Sequence, residues 1–456
     1  MKYIEEKPKS LPVIAETDVL VLGSGPGGLA AALSAARSGM QTMLVERYGC
    51  FGGVITQVGV PGMTWYRSPG TVDVEGIGIE FANRAKEFCA NHPANPSGTV
   101  NVDIIKVLAD QMLAEAGIET LLHCLAAAPI LEGETIQGVI TESKSGRQAI
   151  LAKRVIDATG DADIAYRAGA PCYKSPKNEK DLKKVMMGVT TKFSCKGVDK
   201  ARFLEYVKAH PKTMKDWSGS WAVETSGKED DLAASSFMDE PFKQARKDGL
   251  IPESVQSIEG GWGGLTDTGD VSFNMPYFFG YDCSDTYDLT RAEIDGRQAV
   301  LYAIQALRKY TPGFENAGLR EFAMTLGTRD SRKIIGRYNI TKDDILNQAH
   351  FEDSIGIFPE FIDGYGYLIL PTTGRYFQVP YGILVPQNVD NLLVAGRCVA
   401  GDPFSHGATR EQMCCMVTGQ AAGVAAAVSI KQNVNTSQVD IGLVQNELKK
   451  QGVRLF

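Results

Sequence analysis

The chain has 456 residues, 44% apolar and 22% charged, with 47 basic against 54 acidic side chains and a net charge of −7. That length supports two or three cored domains, and the mild acidity argues against nucleic acid or anionic membrane as the main partner. No apolar stretch is expected to approach the ~18 residues of a membrane span, and the opening MKYIEEKPKS has acids and a proline where a signal peptide has an apolar core, so a cytoplasmic location is expected.

Asp18 to Leu22 has the composition of a buried parallel strand. Gly23-Ser24-Gly25-Pro26-Gly27-Gly28 follows at once, then an alanine-rich helical segment from Leu29 to Ser38 that stops at Gly39. A second strand, Thr42 to Val45, ends in Glu46. Gly23 suits a tight turn, Gly25 a close backbone approach by a diphosphate, and Gly28 close packing of helix on strand. The helix start, with Pro26 and Gly27, offers free N–H groups and a positive dipole end to phosphate oxygens. Glu46 stands at about the ~20-residue spacing at which an acid accepts from ribose hydroxyls. Strand, glycines, helix, strand and terminal Glu in this order point to a bound dinucleotide.

A loop from Tyr48 to Thr56 carries Gly52-Gly53, and Asp103 to Ala116 has the pattern of an amphipathic helix. A strand is expected near Glu119 to Cys124, then a small antiparallel meander around Ile130, Ile136 to Thr141 and Ala149 to Leu151. Arg154 to Ala158 reads as a further strand, running into Thr159-Gly160-Asp161. From about 170 lysines, acids and aromatics rise, among them Trp217, Trp221, Trp262, Tyr277 and Tyr281, which suggests a cap, with Trp217 and Trp221 as its packing. Thr290 to Glu293 and Thr341 to Asp344 read as capping boxes, the first opening a helix through about Arg308. Asn391 to Gly396 reads as a buried strand, and Ala408 to Ile430 as one helix rich in small residues. The expected organisation is α/β: a Rossmann-like, glutathione-reductase-like parallel sheet with an antiparallel meander, built from 1–168 and 376–456, with an inserted α+β cap over 169–375. The nine cysteines show no CxxC or CxxxC spacing, so reduced thiols and no metal site are expected.

Three features favour FAD over NAD, which needs only the first motif. They are Gly52-Gly53 soon after Glu46, a strand ending Asp157-Ala-Thr-Gly160, and a late strand ending Ala395-Gly396-Arg397. Through GSGPGGLAAA, VERYGCFGG, VIDATGDAD, TLGTRDSRKIIGRYNIT and NLLVAGRCVAGDPFSHGATREQM the chain resembles FAD-dependent oxidoreductases related to fumarate reductase and succinate dehydrogenase flavoproteins. It is most similar to a poorly characterised bacterial branch that also resembles the flavin part of heterodisulfide reductase.

The resemblance implies that Gly23, Gly25 and Gly28, with Pro26 and Gly27, hold the diphosphate, and Glu46 the ribose, with Arg47 beside it. Gly52, Gly53 and Val54, and Asp157 with Ala158, Thr159 and Gly160, would border the cofactor. Gly396, Arg397 and the start of the Ala408 helix would lie by the ribityl chain and ring. Many flavoproteins place an acid after the last glycine; Arg397 stands there, leaving Asp402 or no residue for that contact. The histidine that carries covalent FAD in respiratory fumarate reductases has no match, so FAD is expected to be non-covalent.

His406-Gly-Ala-Thr-Arg410 resembles the HGANR run of those enzymes, in which the arginine clamps a substrate carboxylate. Arg410 is therefore expected to bind an anionic substrate group or orient flavin, or else to pair with Glu411 or a cap acid. His406 is expected to transfer protons, or else to bond backbone as a loop histidine. Arg329 or Arg332, in TRDSRKIIGR, is expected at the cap–flavin interface; Arg337 is the third arginine of that run. Cys50 and Cys398 read as packing, and so, first of all, do Tyr281, Tyr365, Tyr367 and Tyr381, any of which could otherwise supply a hydroxyl acid. The expected function is hydride transfer between a small organic substrate and flavin N5, of the CH–CH/C=C or CH–OH/CH–NH class. The alternative is a flavin electron-transfer subunit of a larger complex. A redox partner protein or a second copy of the chain is an open expectation.

Overall fold

The computed structural model describes residues 2–63, 74–181, 184–218, 221–224, 236–370 and 374–456. Strands β1 (Val13–Leu22), β2 (Thr42–Val45), β3 (Glu119–Leu121), β4 (Leu125–Glu132), β5 (Thr135–Ser143) and β6 (Gly146–Asp157) join Leu392–Val394 in a seven-stranded sheet. The order is β3-β2-β1-β6-β5-β4, and Leu392–Val394 also pairs with β6. Val19 to Leu22 are fully buried because helices cover both faces, which is why this strand reads as a continuous apolar run rather than an alternation.

The meander and the parallel sheet are continuous, not separate. Ala149 to Leu151 and Arg154 to Asp157 belong to one twelve-residue strand, β6, with no turn residue to divide them. Its first half pairs antiparallel with β5, and its second half pairs parallel with Leu392–Val394, while β1 runs along its other edge.

The first helix, Pro26–Arg37, packs along the Gln412–Gln432 helix, and glycine sets how closely. A Cβ on Gly28 would lie 1.8 Å from the Gly23 carbonyl oxygen, and one on Gly419 would lie 2.0 Å from that of Gly27. The Gln412–Gln432 helix is long and apolar enough to cross a membrane, with a mean hydropathy of 1.6, which corrects the sequence expectation. Its apolar window is 94% buried, so packing against the sheet and first helix accounts for that composition.

The larger core joins Val19 to Leu22 with Leu392 to Val394 and Ala421 to Ala426, so the chain leaves this layer and returns to it. A second core holds Phe193, Phe203, Phe242, Phe273 and Phe314 under a five-stranded sheet of Phe237–Met238, Gly260–Gly263, Val271–Asn274, Phe193–Lys196 and Gly318–Phe322. Behind it runs a helix from Thr286 to Tyr310. Asp285 caps this helix, accepting from the Tyr287 and Asp288 amides, while the Thr290 hydroxyl donates to the Thr286 carbonyl. Thr290 therefore lies inside the helix and caps nothing; the Thr341–Asp344 capping box is present as expected. Trp221 packs on the larger core, and the Trp217 side chain lies outside the described residues.

Gly419→Ala is expected to cost about 1–3 kcal/mol through overpacking against Gly27. Gly318→Ala, where a Cβ meets open space, should stay within about 0.5 kcal/mol of the parent. Denaturant unfolding of both variants checks this.

Candidate active site

A cavity of about 1980 Å³ runs from the glycine turn after β1, along the ends of β2 and β6, to the underside of the five-stranded sheet. At one end lies the turn itself. Gly23 has φ +87, and a Cβ there would meet the Ala158 carbonyl oxygen at 2.6 Å. The first helix starts at Pro26 with no side-chain cap and no acid in its first turn. Its leading amides and dipole thus face a cavity wall made by Gly25, Pro26 and Gly27. A Cβ on Gly53 would come within 2.6 Å of Gly25 Cα, so the second glycine loop rests on the first.

Glu46 is buried at the end of β2 and lines the cavity. Its Oε2 accepts from the Ser24 amide (2.9 Å) and hydroxyl (2.6 Å), and Oε1 from the Tyr48 amide at 2.9 Å. Oε1, which accepts only once, keeps lone-pair capacity for a further donor such as a ribose hydroxyl. An uncapped helix start, a held carboxylate and backbone-lined glycine loops fit an extended dinucleotide. Arg47, Gly53, Val54, Ala158, Thr159, Gly160 and Gly396 also line the cavity; Gly28 and Gly52 lie behind it as packing.

The next stretch is ionic. Arg397 NH2 donates to Asp161 Oδ1 at 2.6 Å and NH1 to Ser331 Oγ at 2.9 Å, and Ser331 Oγ donates to Asp161 at 2.6 Å. Burial alone would raise Asp161, but Arg397 and Ser331 hold its carboxyl below the usual range. Arg397 lines the cavity and closes over Gly160, where a Cβ would sit 3.1 Å from NH2. Asp402 corrects the sequence expectation. Its Oδ1 accepts from the Ser405 amide at 2.7 Å, capping the short helix Pro403–Thr409, and its Oδ2 from the Lys342 amide at 2.8 Å. It does not line the cavity, so its carboxylate is a structural cap and not a cofactor contact.

The far end gathers the chemistry. The expected single helix from Ala408 is broken at Arg410-Glu411 into Pro403–Thr409 and Gln412–Gln432. Arg410 NH2 donates to the Asp363 carbonyl (2.6 Å) and carboxylate (2.9 Å), and lies 3.1 Å from Glu411 Oε1. Arg410 Nε, Glu411 Oε1 and Gln412 Oε1 are all buried without a hydrogen-bond partner, and all three residues line the cavity. Buried polar atoms are rarely left so, which makes this stretch of wall a candidate for ligand contact. Burial pushes the Glu411 carboxyl up to about 7, against the pull of Arg410 and with the push of Asp363.

Arg329 reaches the same wall from the cap. Its guanidinium lies 4.7 Å over the Tyr277 ring and donates to Thr190 Oγ1, to the Gly188 carbonyl (3.4 Å) and to Asn274 Oδ1 (3.3 Å). No carboxylate among the described residues lies within ion-pair distance of it, and burial lowers its pKa. Arg332 instead pairs with Asp163 at 2.5 Å and is absent from the wall, and Arg337 bonds the Ser437 carbonyl on the surface.

His406 is the other correction. It is 1% exposed and does not line the cavity. Nε2–H donates to the Arg329 carbonyl at 3.0 Å, while Nδ1 has no partner. Burial and the nearby Lys333 ammonium push it down to about 3, so it stays neutral at ordinary pH and is out of place for proton transfer. Around it lie Lys333 on Asp330 at 2.5 Å and the Tyr365 hydroxyl on Asp330, all buried. Tyr281 and Tyr381 donate to Asp295 and the Thr436 carbonyl, both at 2.8 Å, and none of the four singled-out tyrosines lines the cavity. Cys50 and Cys398 are buried behind the wall, and burial raises both thiols.

Sequence reasoning missed Tyr277, Asn274, Asp363 and Lys192, which all line the cavity. Thr190 and Lys192 face it while Thr191 packs against Gly296, an alternation that two-residue steps in an extended segment produce. Burial brings the Lys192 ammonium down to about 8. Glu411 was legible only as a pairing partner of Arg410, which it is at 3.1 Å.

The family of FAD dependent oxidoreductases matches residues 18–448. Thiamine thiazole synthase of Methanococcus vannielii is 30% identical over 173 residues, 33% of this chain and 59% of that protein. Dihydrolipoyl dehydrogenase of Chlorobaculum tepidum is 33% identical over 156 residues, 32% of this chain and 30% of that protein. The match thus spans less than two thirds of either relative. Among solved structures, a geranylgeranyl bacteriochlorophyll reductase-like protein of Thermoplasma acidophilum aligns with 96% of this chain and 83% of its own, at 14% identity and a TM-score of 0.45. With a match running from the first glycine strand almost to the last residue, the chain belongs to the FAD-dependent oxidoreductase family, and FAD is its cofactor.

Proposed function

We propose that the protein transfers a hydride between FAD and a small organic acid, of the CH–CH/C=C or CH–OH/CH–NH class. Arg329 carries this reading: a half-buried guanidinium on the cavity wall with no carboxylate in ion-pair reach among the described residues. A cation kept out of water without a counter-charge is costly, and an anionic ligand removes that cost. Arg410 stands on the same wall, already held by Asp363, and the HGATR run around it supports a relation to fumarate reductase and succinate dehydrogenase flavoproteins.

FAD, held non-covalently, supplies the two-electron acceptor or donor. Gly23, Gly25, Pro26 and Gly27 with the first helix start would hold its diphosphate, and Glu46 its ribose. Gly53, Val54, Ala158, Thr159, Gly160, Gly396 and Arg397 would border the rest. Arg329 binds the substrate anion and sets its orientation. Tyr277 supports the guanidinium from beneath, and the cap excludes water around both. His406 positions Arg329 by holding its carbonyl. A deep, cation-bearing cavity suits a small substrate better than a purely protein-to-protein electron relay.

Anaerobic mixing of the yellow holoprotein with carboxylate-bearing enoates, saturated acids, hydroxy acids and amino acids, with reduced dyes for the reducing direction, should reveal one class that changes the flavin absorbance. Arg329→Gln should then raise the substrate Kd about a hundredfold, about 3 kcal/mol, with flavin content unchanged. A flavin indifferent to every acid and amine, or an unaltered Kd in R329Q, defeats the reading. His406 should also show in stability. Its folded pKa of about 3 lies below the unfolded value of about 6.5, so stability present above pH ~6.5 is lost as pH falls toward ~3, by up to about 1.4 kcal/mol per unit. His406→Gln should lose that part of the acid sensitivity, read as the change in Tm between neutral and acid pH.

A further inference from the structure

Glu411 is the N-cap residue of the Gln412–Gln432 helix, with φ −61 and ψ 143, yet its side chain caps nothing. An acid at that place ordinarily accepts from an amide of the first turn. This one lies on the cavity wall with Oε1 buried, paired at 3.1 Å with Arg410 NH2 and bonded to no helix amide. It forgoes the bond that would stabilise the fold, and stands where a substrate anchored on Arg329 would lie.

The other proton carriers beside Glu411 are committed or silent, and Lys192, further along the wall by Gly59, is not among the charges that act on Glu411. Burial raises the Tyr277 hydroxyl, which stays protonated. Asp363 is engaged by the Arg410 guanidinium, and His406 is behind the wall. We propose that Glu411 is the catalytic residue that exchanges a proton with the substrate, which rests on the flavin-dependent reading above. In the oxidising direction a substrate C–H bond breaks and its hydrogen leaves with the electron pair, as hydride, to FAD. The proton on the neighbouring O, N or C passes to a Glu411 carboxylate oxygen, and the pair it leaves forms the C=X bond. In the reducing direction Glu411 returns the proton.

The groups facing Glu411 are Arg410, Asp363 from the Ile362–Gly364 strand, Arg329 over Tyr277, and Cys415 one turn along the helix. Burial pushes the Cys415 thiol up to about 12, and both guanidiniums remain charged, so near neutrality Glu411 is the group expected to change charge. A carboxyl near 7 serves as acid and as base at ordinary pH. An anion seated on Arg329 adds negative charge beside it, so binding carries a proton wherever Glu411 is ionised.

The test uses holoprotein, wild type and Glu411→Gln, with malonate as probe anion and flavin absorbance as readout. Wild-type affinity should be flat below pH about 7 and fall by up to about tenfold per unit above it; E411Q should stay flat. With whichever substrate reduces or reoxidises the flavin, E411Q should slow that step about 10²–10⁴-fold with flavin content intact, and Glu411→Asp should recover part of the rate. The same pH dependence in both proteins, or none in either, overturns the proposal, as does an undiminished rate in E411Q. If malonate binds neither protein, the Arg329 anion site fails by itself, and the flavin-step rate alone decides on Glu411.

Discussion

The structure depends on how closely backbone meets backbone at the start of the first helix. Three segments far apart in sequence converge there. A Cβ on Gly28 would strike the Gly23 carbonyl, one on Gly27 would lie 2.9 Å from Gly396, and one on Gly419 would strike Gly27. The glycine run therefore shapes the turn after β1, seats the late 3-10 turn that holds Gly396, and lets the 412–432 helix lie against the first helix. Side chains at these places would separate the layers and widen the cavity wall. The amide-rich start of the first helix is exposed to the cavity for the same reason: nothing larger than backbone stands in front of it.

Charge takes over from glycine at the other end. The helix break at Arg410-Glu411 leaves two consecutive ionisable side chains facing the cavity rather than the core. Asp363 holds Arg410 in place, and the cap delivers Arg329 across from it. Two arginines against one partly neutralised glutamate and one aspartate give this end a positive balance. That balance, with the Arg410 Nε donor left without an acceptor, supports the proposed anion at this end, while Glu411 and Gln412 Oε1 offer acceptors to donor groups of a ligand.

The buried group of Asp330, Lys333, Tyr365 and His406 explains how the cap segment is fixed. Lys333 and Asp330 are each 1% exposed, and such a pair persists only when its remaining bonds are satisfied. Here the Met187 amide and the Tyr365 hydroxyl complete Asp330, while the Ser331 carbonyl accepts from Lys333. The polar residues of TRDSRK are thus divided by burial. Asp330 and Lys333 lock the segment, Arg332 ties it to Asp163, and Arg329 is left for the cavity.

The order of strand, glycine turn, helix, strand and Glu46 was legible in the sequence because each step is a local rule: a β-branched run, a glycine spacing, an acid at the strand end. The cofactor followed from those rules together with the later glycine strands. Gly53, Val54, Thr159 and Gly396 reach the cavity wall because backbone placement follows directly from the elements that carry it. What the sequence could not settle was the direction of long side chains. His406 and Arg410 are four residues apart in one motif, yet one is sealed behind the wall and the other lines it. Asp402 looked like a ligand and is a helix cap; Glu411 is the counter-charge to Arg410 that the sequence suggested, and it also lines the cavity without capping the helix it begins. Those differences come from contacts between segments 47 to 77 residues apart, which decide burial and the partners of each charge, and only the tertiary structure holds them.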